Sequence, residues 1–130
     1  MIVLDASVVV TALADDGPDG DRARDRLLGE RLAAPHVVDL EVASAWRRLV
    51  ANGDLDERRA DLALADLLAL PVERVPHGPF LVRCWELRSS LTVYDAVYVA
   101  AAEILEATLL TLDRRLANAP GPRCPVELLP

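Results

Sequence analysis

Met1-Ile2-Val3-Leu4-Asp5-Ala6-Ser7 opens the chain and decides its fold. Three apolar residues without alternation suit a strand covered on both faces, as in a parallel sheet. Asp5 stops that run, and Asp5 and Ser7 both offer an N-cap to a helix over Ala6 to Ala14. A strand, an acid and a helix start in seven residues predict an α/β unit with a carboxylate at the strand's C-terminal end.

Further along, the pattern repeats. Asp15 to Gly20 reads as a turn-rich loop, and Asp21 to Leu32 as a helix closed by Ala33-Ala34-Pro35, with room for a very short strand. Val38, Val42, Ala45 and Leu49 keep helical spacing as far as Asn52-Gly53, a C-terminal stop. Asp56 opens another apolar helix that Pro71 ends, so the two form a helical hairpin. Val72 to Val75 is a candidate strand, and Phe80 to Arg88 is helical. Thr92 caps a helix that runs to about Glu106. Thr108 to Leu112 reads as a strand, Arg114 to Ala119 as a short helix and Val126 to Leu129 as a last strand. This alternation predicts an α/β/α sandwich around a mainly parallel sheet, in one domain over residues 1–130. A chain of 130 residues is long enough to bury a core of its own.

Composition bounds the function. The net charge is −7 and every basic residue is Arg. An excess of acid argues against a broad basic face for nucleic acid, because phosphate contacts need Lys and Arg. It leaves room for a local site where a metal bridges two anions. Cys84 and Cys124 stand far apart in no ligand spacing, which reads as reduced thiols. The first residues carry no basic leader, and the longest uncharged stretch, Ala6 to Ala14, is too short to cross a membrane, so the cytoplasm is expected.

Acids stand where apolar sequence surrounds them. Asp5 and Asp113 each follow a strand-like run. Asp95 follows Thr92 by three and precedes a run of seven apolar residues, Ala96 to Ala102. Each has a structural reading: Asp5 and Asp113 as helix caps, Asp95 as the return arm of a capping box, Glu41 as a first-turn acid favoured by the helix dipole. Together they have another. Ligands of an open parallel sheet bind beyond the carboxyl ends of its strands, where strand order reverses. A fold that gathers strand ends and helix starts there assembles a carboxylate cluster. Two carboxylates about 5 Å apart repel by ~3 kcal/mol at an effective dielectric of ~20. With no Lys to neutralise it, such a cluster calls for a cation. Oxygen-only ligands suit Mg²⁺ or Mn²⁺. A metal-activated water attacking a phosphodiester is the chemistry that follows.

Other residues carry less. Ser7 either caps the helix or points at the same site. Thr111 lies on a strand as a sheet-face hydroxyl or as a partner of Asp113. Tyr94 and Tyr98 read as packing, Trp46 and Trp85 as core or interface, and Arg114 and Arg115 as a solvated helix face. No Ser-His or Cys-His pattern and no Gly-rich phosphate loop is present.

Three stretches carry a resemblance: Met1 to Ser7; Leu91-Thr-Val-Tyr-Asp-Ala-Val-Tyr-Val-Ala-Ala101; and Leu110-Thr-Leu-Asp-Arg-Arg-Leu116. With Glu41 in its helix, they resemble the PIN-domain ribonucleases, and more narrowly the VapC-type toxins of toxin–antitoxin modules. The resemblance covers nearly the whole chain, with Ala14 to Val37 outside any motif. It implies a PIN-like three-layer fold and Mg²⁺- or Mn²⁺-dependent endoribonuclease activity. It also implies a homodimer and a cognate antitoxin that blocks the site. Asp5, Glu41, Asp95 and Asp113 would be the catalytic acids, with Asp5, Asp95 and Asp113 as metal ligands and Ser7 and Thr111 as supporting groups. Only the resemblance singles out Glu41. Receiver-like domains and haloacid-dehalogenase phosphatases also gather acids at strand ends, but they resemble this chain less: both need a site lysine. A non-catalytic interaction module, PIN-like or receiver-like, with the acids as caps or metal ligands, is the other alternative.

Overall fold

The computed structural model describes all residues from Met1 to Pro130. Five strands form one sheet: β1 (Ile2–Leu4), β2 (Leu32–Pro35), β3 (Val72–Val75), β4 (Thr108–Thr111) and β5 (Val126–Leu128). Their order is β3-β2-β1-β4-β5 and every neighbouring pair is parallel. Seven α-helices connect them: α1 (Ala6–Ala14), α2 (Pro18–Leu27), α3 (Val37–Ala51), α4 (Glu57–Ala69), α5 (Leu81–Glu86), α6 (Val93–Ile104) and α7 (Arg114–Ala117). A 3-10 turn, Gly78–Phe80, leads into α5.

The chain moves outward from β1 through β2 to β3, then returns to the other side of β1 for β4 and β5. Crossovers between parallel strands are right-handed, so this reversal puts α1 to α4 on one face and α5 and α6 on the other. β1 is then covered on both sides, which is why all three of its residues are buried. The reversal falls between β1 and β4, the edge where such sheets bind ligands.

Most expected elements appear at their places, including the hairpin of α3 and α4. Its turn depends on Gly53, whose φ of 78° is the left-handed conformation that glycine adopts without strain. One segment differs. The expected loop at Asp15 to Gly20 and helix at Asp21 to Leu32 are displaced toward the N-terminus. α2 already starts at Pro18, a residue that fits the first helical position because its missing N–H has no partner to lose there. It stops at Leu27, just before Gly29 with φ 75°, and Leu32 opens β2. Gly20 is buried against the end of α1, where a Cβ would meet the Asp15 carbonyl oxygen at 1.8 Å.

The core is almost wholly aliphatic, with Tyr98, Trp46 and Phe80 as its aromatic members. The buried polar side chains are Asp5 and Thr111, and both lie at the sheet's ligand-binding edge. Trp46 is buried, with its indole N–H donating to the Val10 carbonyl, whereas Trp85 is exposed under the Arg88 guanidinium. Cys84 and Cys124 are free thiols. No helix is long and apolar enough to cross a membrane.

Candidate active site

Asp5 leaves the end of β1 and occupies the N-cap position of α1, but its carboxylate makes no cap bond. It turns instead toward β4. Asp5 Oδ2 accepts from Ser7 Oγ at 2.5 Å and from Thr111 Oγ1 at 2.9 Å. Each hydroxyl is also an acceptor: Ser7 Oγ takes the Leu112 N–H at 3.0 Å, and Thr111 Oγ1 takes the Asp113 N–H at 3.0 Å. Both hydroxyl protons are therefore committed to Asp5, and one oxygen receives them both. Asp5 also lines a cleft along this edge. Ser7 and Thr111 thus staple the ends of β1 and β4 together and fix the Asp5 carboxylate between them.

Burial pushes the Asp5 carboxyl above the usual aspartate range, and the nearby Asp95 charge adds to it; the two hydroxyl bonds oppose the rise. Only 7% of the residue is exposed. Glu41 is raised in the same way, first by burial, then by the charges of Asp5 and Asp95. The three acids therefore sense one another across elements distant in sequence.

Glu41 is the fifth residue of α3 and lies in its second turn, not the first turn that the sequence suggested. The helix begins at Val37, one residue before the expected Val38, with His36 as its N-cap residue; His77 Nε2, from the loop after β3, accepts the Val37 N–H at 2.9 Å. Glu41 Oε1 accepts from the Tyr98 hydroxyl at 2.7 Å. Burial and the adjacent Glu41 hold the Tyr98 phenol far above its ordinary range, so it remains a donor. Tyr98 is core packing, as expected, and it also fixes Glu41. The other glutamate oxygen, Oε2, has no protein partner.

Asp95 sits in the first turn of α6. Thr92 Oγ1 accepts the Asp95 N–H at 3.1 Å, which is half of the capping box. The Asp95 carboxylate does not return to the cap. Its Oδ2 accepts from Arg115 Nη2 at 2.7 Å, and the same nitrogen reaches Asp113 Oδ2 at 3.1 Å. Asp113 caps α7 through its Oδ1, which accepts the Arg115 N–H at 2.9 Å. Arg115 is exposed, as its place in the sequence suggested, but it is not free, because it pairs with both acids. It is the local counter-charge that the missing lysine had seemed to rule out.

A cleft of about 600 Å³ runs along this edge, lined by Asp5, Ser7, Thr11, Glu41 and Asp113 and by one face of α3. Glu41, Ala45, Arg48 and Asn52 lie four, three and four residues apart, which puts them on one helical stripe. Arg48 is the only basic residue on that wall. Its side-chain bond is to Ser44 Oγ at 3.1 Å, so no carboxylate claims its charge.

The donor set suits a hard divalent cation. Side-chain donors tie down one oxygen each of Asp5, Glu41 and Asp95, while both oxygens of Asp113 are engaged by Arg115. As they stand, no three acidic, histidine or cysteine side chains lie close enough to share one ion. The site is held open, with its acids individually anchored and a guanidinium between two of them.

This sheet order and this acidic edge define the class. The chain belongs to the PIN-domain family, whose family model matches residues 2–122. Within that family it stands with the VapC type. It is 42% identical to a VapC ribonuclease of Mycobacterium bovis over 130 residues, which is all of this chain and 99% of that protein. It is 44% identical to ribonuclease VapC1 of Mycobacterium tuberculosis over 128 residues, or 98% and 96% of the two chains. Among solved structures, a protein of Pyrobaculum aerophilum superposes with a TM-score of 0.71 at 25% identity, over 96% of this chain and 81% of that one. VapBC2 of Rickettsia felis, solved with a promoter DNA fragment, gives 0.70 at 16% identity over 98% of each.

Proposed function

We propose that the protein is a metal-dependent endoribonuclease toxin, cytoplasmic and restrained by a cognate antitoxin. One observation carries the reading most: a buried Asp5 that lines the cleft while Ser7 and Thr111 both donate to its Oδ2. A core spends burial on a charged group with little stabilising return unless that group has work to do. Asp5, Asp95 and Asp113, with Glu41 beside them, would hold Mg²⁺ or Mn²⁺. When bound, the ion lowers the pKa of a water and offsets charge on the scissile phosphate.

The chain's own residues do the rest. Ser7 and Thr111 orient Asp5. Tyr98 orients Glu41, which lines the cleft where it could take a proton from an attacking water. The α3 stripe offers Arg48 and Asn52 to the RNA backbone beyond the acids. An acidic cleft favours a partner that brings positive charge, and this is the property we expect of the antitoxin. Exposed Leu81, Val82, Trp85 and Tyr94 give the homodimer apolar ground.

Metal removal tests the core of this reading. The purified chain should cut RNA in Mn²⁺ or Mg²⁺, fall to background in EDTA, and recover when the ion is restored. Cleavage that persists in EDTA would sink the metal requirement. No cleavage under any metal would instead favour the non-catalytic module.

Arg48 has its own test. Arg48→Ala should weaken RNA binding and lower the slope of log affinity against log salt by about one, as expected for one lost phosphate contact. An unchanged slope would show that the RNA does not follow the α3 stripe.

A further inference from the structure

We propose that Arg115 is a built-in competitor for the metal: in the metal-free protein its guanidinium bridges Asp95 and Asp113, and it must leave their oxygens when the divalent ion enters. This rests on the metal-site reading above and adds to it a residue that gates the ion's affinity.

The geometry supplies the argument. Asp95 comes from the first turn of α6 and Asp113 from the N-cap of α7, so nothing in the local chain holds their carboxylates side by side. One nitrogen, Arg115 Nη2, touches Oδ2 of both. A single side-chain rotation therefore frees Oδ2 of both acids at once, while Asp113 Oδ1 keeps its bond from the Arg115 N–H. The motion is open to it, because the Arg115 side chain is 61% exposed whereas those of Asp95 and Asp113 are 19% and 35% exposed.

Guanidinium and a divalent ion cannot share these oxygens. Each attracts the same carboxylates and the two repel one another. In the metal-free state Arg115 relieves the acid–acid repulsion; in the metal-bound state the ion does so. The measured affinity is then the intrinsic affinity reduced by the fraction of molecules in which Arg115 has already let go. Exposed ion pairs are weak, so the reduction is modest, up to about fivefold. A modest competitor suits a site that must stay organised when no ion is bound yet still load readily.

The test is calorimetric titration of Mn²⁺ into the full chain, as parent, Arg115→Met and Arg115→Lys, at fixed low ionic strength. Arg115→Met keeps much of the stem and removes the charge, and it should bind Mn²⁺ about fivefold more tightly. Arg115→Lys retains a cation and should fall nearer the parent. Equal or weaker binding by Arg115→Met, with normal binding by the parent, would overturn the competitor and leave the metal site standing. Failure of every protein to take up Mn²⁺ would overturn the metal site itself, and Arg115's role with it. A second readout needs no substitution: the side-chain ¹⁵N resonances of Arg115 should shift when Mg²⁺ saturates the parent. Resonances that do not move on saturation would also overturn the proposal.

Discussion

Asp5→Asn should lower RNA cleavage by about a thousandfold and at the same time raise the melting temperature of the metal-free protein. The loss is expected because the carboxylate that lines the cleft becomes a neutral amide. The gain follows from the same environment. Asp5 is nearly fully buried and its charged form is disfavoured by that burial and by Asp95. The amide removes the charge, and its oxygen can still accept from Ser7 and Thr111 if it takes the place of Oδ2. A relief of roughly 1 kcal/mol would shift the midpoint by about 3–6 °C in a chain of this size. The contrast is Asp95→Asn, which should also lose cleavage but without the thermal gain, because it gives up the ion pair with Arg115. Cleavage assays and thermal melts in EDTA on the three proteins decide the matter. An Asp5→Asn protein that cuts RNA normally, or melts below the parent, would refute the assignment.

The largest effect on stability is expected far from the cleft, at Arg83 and Glu103. Arg83 Nε and Nη2 grip the two oxygens of Glu103 at 2.7 and 3.2 Å, and Nη2 also reaches the Gly121 carbonyl at 2.9 Å. The side chains are 15% and 13% exposed. The pair ties α5 to α6 and both to the loop before β5. Burial alone would raise the Glu103 carboxyl, but the hydrogen bonds from Arg83 and from the Arg123 N–H outweigh it and hold it below its ordinary 4.5. Arg83→Met leaves that carboxylate buried without its partner and should cost about 2–3 kcal/mol in urea unfolding. Replacing Glu103 by Met as well should restore part of the loss, because the stranded charge is then gone. The pH dependence has a definite sign. A carboxyl lowered in the folded state stabilises above its unfolded value and loses that contribution as pH falls through the folded value. The parent's advantage over the double variant should therefore be full at neutral pH and shrink below about pH 4.5.

Much of this was legible before any coordinates. The short apolar runs ending in Asp5 and near Asp113 named the two strands beside the reversal point, because a buried parallel strand shows an unbroken apolar run. Thr92 with Asp95 marked the start of α6 by local cap chemistry. What failed was whatever depends on a distant partner. Pro18 and Gly29 do mark the ends of α2 locally, but the competing turn signals at Gly17 and Gly20 obscured them. The start of α3 was legible to within a residue from Val38, but its contact with His77, forty residues onward, was not. Arg115 is solvated as expected, but its pairing was hidden because its second acid, Asp95, lies twenty residues earlier in the chain. Glu41 could not be told from other helical acids by spacing; only Tyr98, which reaches it across the core, distinguishes it in the fold.

The hydroxyl staples between β1 and β4 also bear on when the protein can act. Asp5 is made almost first and Thr111 almost last, 106 residues apart, and the fixed carboxylate exists only once the two have met. During synthesis, most of the chain can emerge and begin to pair while its reactive centre is still missing half its parts. Such long-range closure is among the slower steps of folding. For the RNA-cutting toxin proposed above, the order of assembly is a delay: the blade is the last thing to be fitted.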